Sequence, residues 1–167
     1  MVVVPFDVND ESLRKTFLGV TVFSVLSELS PNDRPLWGSM SSQQMVEHLL
    51  WAMEASNGIT DVECRLPAKL IERFKTFLYN NSPTTHDFMN PLLKQGLPPL
   101  RFAGVHDAVA ALKEQTKDFL DQGDGVWPGP RIHPVFGPID YEEWSRSHFK
   151  HFYHHLLQFG MIGESQG

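Results

Sequence analysis

The sequence predicts an all-α protein: a bundle of four main helices with one extra short helix and long loops rich in proline. Apolar residues recur at three-to-four spacing in several long segments, and no stretch of useful length alternates between apolar and polar residues. Amphipathic helices without strands bury their apolar faces by packing on one another. At 167 residues the chain has the length of one ordinary domain, so we expect a single helical domain over residues 1–167.

The first two predicted helices carry recognisable ends. Residues 10–29 have apolar positions at helical spacing, and Asp10 is suited to be the N-cap. The second helix begins at Ser41 or Ser42, which are both good N-caps, and stops at Asn57 and the glycine that follows it. His48 therefore lies in the middle of the second helix.

A shorter helix is predicted over residues 66–78, with Pro67 in its first turn. Residues 79–104 contain repeated prolines and scattered asparagines, which predict a long surface loop. Loops of this length often shape a functional site. A further long helix is predicted over residues 105–121, ended by Gln122 and Gly123.

The last predicted helix follows a second loop, residues 127–138, which is too rich in proline and glycine for a helix or a central strand. Asp140 and Glu143 predict a capping box at its start, with aspartate in the place that serine or threonine usually takes. Gly160 suits the left-handed residue that commonly ends a helix. Both ends of this helix are thus defined by local side-chain chemistry.

The composition limits the classes of function. The formal net charge is −6, whereas sequence-independent binding to phosphate backbones needs clustered lysine and arginine, so we expect no nucleic-acid partner. No segment approaches the roughly 18 apolar residues of a membrane helix, and Met1 is not followed by a basic export signal. The single cysteine, Cys64, cannot form an internal disulfide, which suits a reducing compartment. We therefore expect a cytoplasmic protein with no membrane partner.

The last helix contains half of the eight histidines, His148, His151, His154 and His155. Each helical residue advances about 100°, so His151 and His155 project side by side at a spacing suited to metal binding. Protonated imidazoles this close would repel, and buried neutral ones would leave ring nitrogens without partners, whereas a bound cation resolves both problems. The alternative is a set of core histidines, each hydrogen-bonded to a carbonyl or a carboxylate.

Two imidazoles do not fill a coordination sphere, so a third ligand should come from another helix. His48 is the candidate, because it shares its side of the second helix with the small residues Ala52 and Ala55. Three neutral imidazoles and a water suit zinc, nickel or ferrous iron, and imidazole alone does not select among them. Glu47, Glu54 and Gln158 are the candidates for a supporting contact, and Gln158 ranks above Glu47, which projects about 100° away from His48.

Of the other histidines, His133 is the one expected near the site, because its loop leads directly into the last helix. His86 and His106 are expected to be surface or loop-packing residues. No Ser-His-Asp or Cys-His arrangement can be assembled from the sequence spacing, so no catalytic residue is assigned.

The histidine pattern resembles that of a known group of proteins. The segment Gln-Gln-Met-Val-Glu-His48, followed by His151-x-x-His154-His155-x-x-Gln158, resembles the DinB/YfiT-like superfamily of metal-binding helical bundles. Three further segments resemble a narrower branch of it that is known as a domain of unknown function: Trp37-Gly-x-Met, His133-Pro-x-Phe-Gly-Pro138, and Trp144 through Gln158-Phe-Gly160. The resemblance covers most of the chain.

The resemblance implies a DinB-like four-helix bundle with one divalent metal, usually nickel or zinc, held by three histidines that map onto His48, His151 and His155. Several members of the superfamily are metal-dependent thiol transferases or isomerases that use low-molecular-weight thiols, and dimers are common among them. The resemblance therefore also implies a partner that is a small molecule or a low-molecular-weight thiol, and it implies a homodimer. The chain departs from the pattern in its long loop, residues 79–104, and in the additional His148.

Two functions follow from these residues. The first is an enzyme, a thiol transferase or a hydrolase, in which the metal keeps an open position that activates a thiol or a water. The second is a non-catalytic, metal-stabilised bundle that acts as a binding or stress-response module, with His148 or His154 completing a closed site. The number of protein ligands, and a solvent-filled cleft beside them, distinguish the two.

Overall fold

The structure, a computed structural model, describes residues 1–88, 93 and 95–165 and is mostly helical. Its α-helices are α1 (Glu11–Thr16), α2 (Val22–Leu26), α3 (Ser42–Ser56), α4 (Ala68–Lys75), α5 (Val105–Asp124) and α6 (Tyr141–Gln158). A π-helical turn, Phe17–Thr21, joins α1 to α2, and a 3-10 turn, Thr76–Tyr79, extends α4. The prediction of an all-α bundle is thus confirmed only in its coarser form, an α-rich fold. Within the described ranges no helix is both long enough and apolar enough to cross a membrane.

The helix starts follow the predicted side-chain chemistry. Asp10 accepts a hydrogen bond from the backbone N–H of Leu13 at 2.9 Å, which caps α1. Ser41, one of the two predicted caps, begins α3, and Asp140 forms the predicted capping box with Glu143 at the start of α6. These contacts satisfy backbone N–H groups that a helix leaves without partners at its first turn.

Gly123 does not end α5, which continues beyond the predicted end at Asp121 to Asp124. A Cβ atom on Gly123 would overlap the ring of Tyr141 at the start of α6. Glycine is therefore present because α5 and α6 approach closely there, and its role is packing rather than helix termination.

The structure also contains short strands that the sequence pattern does not predict: β1 (Val2–Val4), β2 (Arg131–His133), β3 (Gly137–Ile139) and β4 (Ile162–Glu164). β1 pairs in parallel with β4, which joins the beginning of the chain to the segment after α6. β2 and β3 form an antiparallel hairpin that begins in the predicted loop 127–138 and ends one residue after it, at Ile139. Strands of three residues are too short for an alternating pattern to be recognised.

The hydrophobic core lies among the helices. α3 packs against α5 and α6, and the continuous helix from α1 to α2 packs against the same two helices. The largest fully buried side chains include Phe17, Leu49, Phe119, Trp144 and Phe152. The packing of α3 on α6 brings the middle of α3 next to the histidines of α6.

The predicted long loop is attached to α3 by two carboxylates. Glu47 accepts hydrogen bonds from the backbone N–H groups of Arg101 and Phe102, and both oxygens of Glu54 bind the Arg101 guanidinium, at 2.6 and 3.0 Å. Residues 89–92 and 94 of this loop lie outside the described residues. The described end of the loop is therefore held beside His48.

We expect Gly123→Ala to destabilise the protein although alanine is the better helix former. The helix preference favours alanine by about 1 kcal/mol. Overpacking against Tyr141 costs about 1–3 kcal/mol, so a net loss of roughly 1 kcal/mol in the free energy of unfolding should appear in urea denaturation. Gly125→Ala is the matched control, because its Cβ would meet only the Asp121 carbonyl oxygen at 3.5 Å. Unchanged or increased stability of Gly123→Ala would contradict this packing role.

Candidate metal centre

Three histidines from two helices meet where α3 packs against α6. His48 projects from the middle of α3, and His151 and His155 project from one face of α6. Each offers one ring nitrogen, and the three nitrogens lie within 4.8 Å of one another. The Nε2 atoms of His48 and His151 are 2.8 Å apart. The structure thus brings together the three residues that the sequence proposes as ligands, and we call them the histidine triad.

The triad is neutral at neutral pH because the protein shields it from water. Burial lowers the pKa of His48 to about 4, and the nearby His154 contributes in the same direction. Burial, followed by the neighbouring imidazoles, lowers the pKa values of His151 and His155 well below the usual value. A neutral imidazole keeps a lone pair on one ring nitrogen, which is the form that binds metals.

Gln158 sets the orientation of His155. Its side-chain oxygen lies 2.8 Å from Nδ1 of His155, and its amide nitrogen donates to the carbonyl of Trp37 at 2.9 Å. Because that oxygen can only accept, Nδ1 carries the ring proton and Nε2 holds the lone pair. Metal-binding histidines generally have a supporting contact of this kind. Glu47 binds the backbone of the long loop, so of these two residues it is Gln158 that contacts a triad histidine.

The donor set of the triad fits a divalent metal ion. Three imidazole nitrogens, with no thiolate or carboxylate among them, form a set that zinc, nickel and ferrous iron all accept. Hydrogen bonding within the triad is limited to the contact between His48 and His151. A shared cation would engage all three lone pairs, which the rings alone cannot do. The triad can therefore hold a metal ion.

The other two histidines of α6 have different surroundings. Nε2 of His148 lies 2.8 Å from the hydroxyl of Ser56, which itself donates to the carbonyl of Met53 at 2.9 Å, so His148 is the donor. Burial lowers the pKa of His148 to about 3. His154 packs edge-on against Trp37, with ring centroids 5.7 Å apart. Among the described residues, neither belongs to a group with metal-binding spacing.

A cavity of about 480 Å³ opens beside the triad. Its volume is in the range of sites for small molecules. Much of its wall is apolar and comes from the residues Phe74, Phe77, Phe88, Val135 and Phe136. α6 contributes polar side chains to the lining, Ser147, Lys150, His151 and His154. A second cavity of about 400 Å³, on the side of the long loop, also reaches His48.

His133 lies at the wall of the larger cavity, as its position before α6 predicts. Its Nδ1 accepts hydrogen bonds from the backbone N–H groups of Val135, at 3.0 Å, and Phe136, at 3.3 Å. The proton of the neutral ring is therefore on Nε2, which lies 3.2 Å from Oγ of Ser147. Burial lowers the pKa of His133 to about 3. His133 thus donates to Ser147 and positions its hydroxyl, and it does not act as a base toward it.

Lys150 is a cavity residue that sequence reasoning misses. It is 2% exposed, and its Nζ atom lies 2.8 Å from the carbonyl oxygen of Ser82 and 3.5 Å from the centre of the Phe77 ring. Burial lowers the pKa of Lys150 to about 8, so the side chain is protonated at neutral pH. Its position three residues after Ser147, on the same side of the helix, is the signal that could have identified it.

The two remaining histidines lie apart from the triad. His86 stacks on the indole of Trp37 with ring centroids 3.7 Å apart, and His106 is exposed near the start of α5. Their positions agree with the loop-packing and surface roles predicted for them.

We expect the metal-free protein to lose stability as the pH falls below about 6.5. His133 and His148 titrate near 3 in the folded protein but near 6.5 when unfolded, so the unfolded chain binds more protons between these values. Each of them lowers the free energy of unfolding by up to about 1.4 kcal/mol for each pH unit in this range. Urea denaturation with a chelator present, from about pH 7.5 to about pH 4.5, measures the loss.

His148→Gln isolates one of these contributions. Glutamine keeps an amide donor for Ser56 but cannot take up a proton. The free energy of unfolding of this variant should therefore fall less steeply as the pH is lowered, with about one proton fewer taken up on unfolding. His106→Gln changes an exposed histidine and should keep the wild-type slope. Equal slopes for wild type and His148→Gln would show that His148 is not a neutral buried imidazole.

Comparisons of the chain with protein-family models, with curated proteins and with solved structures found no match. No family assignment follows from these comparisons. The histidine triad and the cavity beside it therefore carry the functional interpretation.

Proposed function

We propose that the protein is a divalent-metal-dependent enzyme of the DinB-like superfamily, in which His48, His151 and His155 hold the metal and a small molecule enters the adjoining cavity. One observation carries the proposal: three neutral imidazoles from two helices converge beside a cavity of about 480 Å³. The resemblance in the histidine pattern favours nickel or zinc, and ferrous iron fits the same donors. The proposed reaction is the transfer of a low-molecular-weight thiol, with hydrolysis as the other reaction that such a centre supports.

A divalent ion with an unfilled coordination position lowers the pKa of a thiol or a water there and so supplies a nucleophilic anion near neutral pH. The residues of the chain prepare the site for it. Gln158 holds the lone pair of His155 available, and burial keeps the triad neutral. The buried ring of Phe136 makes part of the wall apolar, and an apolar wall strengthens electrostatic interactions inside the cavity.

The surroundings of the other histidines support an open site. Structural zinc normally has four protein ligands, whereas catalytic zinc has three and keeps one position for water or substrate. His148 is engaged by Ser56 and His154 packs on Trp37, so neither is in place as a fourth ligand. The cavity beside the triad provides the space that an open position needs.

The second candidate function is a non-catalytic, metal-stabilised bundle that serves as a binding or stress-response module. The triad joins α3 to α6, so a bound ion would cross-link two helices of the core. Binding to the folded state alone would raise stability by mass action, whether or not the protein is a catalyst. A cytoplasmic location, which the composition predicts, and a homodimer, which the resemblance implies, belong to the proposal with either function.

Replacing a triad histidine with alanine is expected to remove stoichiometric metal. Protein loaded with Zn²⁺ and freed of excess ion should hold one metal per chain by plasma emission spectroscopy, and His155→Ala should hold less than about a tenth of that. His148→Gln and His106→Gln are the controls and should keep the wild-type content. Full metal content in His155→Ala contradicts the ligand assignment, and loss in a folded His148→Gln protein supports a closed site.

The metal-loaded protein is expected to accelerate the reaction of cysteine or glutathione with chlorodinitrobenzene, because a thiolate forms more readily beside the metal. The rate, followed by the absorbance of the thioether, should exceed the rate with His48→Ala by at least about tenfold. Metal content is measured on the same samples. If a fully loaded protein is inactive across a panel of cellular thiols and electrophiles, the non-catalytic module is the better description.

A further inference from the structure

The cavity beside the triad differs in charge from the protein as a whole. The chain has 20 acidic residues and a net charge of −6, yet the described residues that line this cavity include no aspartate or glutamate. Lys150 lies in the lining of this cavity and contributes an ammonium group to it. A cavity with a cation and without a carboxylate favours anionic ligands.

Lys150 has only neutral partners among the described residues. Its Nζ atom contacts the carbonyl oxygen of Ser82 at 2.8 Å and the side-chain oxygen of Asn80 at 3.5 Å, and it lies over the Phe77 ring. An ammonium group has three N–H donors, so these two acceptors do not use all of them. A buried charge without a counter-ion is costly, and an anionic ligand group would offset that cost.

Ser147 supplies a second donor one turn before His151. Nε2–H of His133 donates to the Ser147 oxygen, so the Ser147 hydrogen remains to be donated. Among the described residues, the hydrogen bond found for the Ser147 hydroxyl is the one with His133. Lys150 and His151 lie three and four residues after Ser147 on α6, and all three residues line the cavity.

We infer that this cavity binds an organic anion with an apolar body, whose carboxylate or similar head group is held by Lys150 and Ser147 next to the triad. The body packs against the aromatic wall formed by Phe74, Phe77 and Phe136. A cavity of about 480 Å³ has room for a ligand of one or two rings. This inference names the substrate class of the proposed enzyme and therefore rests on the proposed function. The contacts to the anion are made by Lys150 and Ser147 and do not require the metal.

Naphthoate and naphthamide are the probes, because they share a ring system and nearly the same shape but only the first is charged. We expect wild-type protein to bind naphthoate at least about tenfold more tightly than naphthamide in calorimetric titrations. The titrations are made with chelated protein and with protein loaded with Zn²⁺. If wild-type protein binds the two probes with equal affinity, or binds neither, the inference is overturned without any variant being needed.

Lys150→Met removes the charge and keeps an apolar chain against Phe77. Its affinity for naphthoate should fall about tenfold, while its affinity for naphthamide should not change. Lys113→Met, exposed on α5, is the matched control and should behave as wild type. Ser147→Ala should weaken naphthoate binding about threefold. This variant serves as the test if circular dichroism shows that Lys150→Met is unfolded. If folded Lys150→Met still prefers naphthoate, Lys150 does not bind the head group and that assignment is overturned.

Metal content separates the two proposals. If the protein prefers naphthoate but holds no metal, the proposed function fails and the inference stands. If the protein holds stoichiometric metal but shows no preference, the inference fails and the proposed function stands. If the preference appears only with Zn²⁺ and survives in Lys150→Met, the anion is held at the metal and the role of Lys150 is overturned.

Discussion

The contact between α3 and α6 at the histidine triad is the constraint on which the rest of the site depends. Two imidazole nitrogens 2.8 Å apart, on His48 and His151, can be neighbours only if the rings are not both charged. Burial supplies this condition, because it lowers the pKa values of both rings. The core that holds α3 on α6 therefore also keeps the triad in the form that binds a cation.

His133, His148 and His155 each have a neighbour that decides where the ring proton lies, and these neighbours give similar residues different roles. Gln158 leaves Nε2 of His155 free, whereas Ser56 engages Nε2 of His148. Backbone N–H groups place the proton of His133 on the nitrogen that faces Ser147. Five neutral imidazoles thus form a triad, a core contact and a cavity wall. The cavity connects these roles, since the triad, Ser147 and Lys150 all lie on it.

Local chemistry accounts for the parts of the fold that the sequence predicted well. The caps Asp10 and Asp140 act through contacts within one turn, so both helix starts could be read from neighbouring residues. The sequence pattern ends α5 too early because Gly123 allows close packing against Tyr141, a contact that spacing along the chain does not reveal. The short strands were missed because their pairing joins segments that are distant in sequence or too short to show a pattern.

By itself the sequence determined the helical segments and the side-by-side placement of His151 and His155, because a helix brings residues four apart onto one face. It also indicated His48 as a partner. Only the tertiary structure decided that the His48 ring reaches His151, that His148 instead turns to Ser56, and that Lys150 lies in a cavity without carboxylates among its described residues. The physical reason is that ligand spacing, proton position and charge surroundings depend on packing between elements, whereas caps and helical periodicity depend on neighbours along the chain.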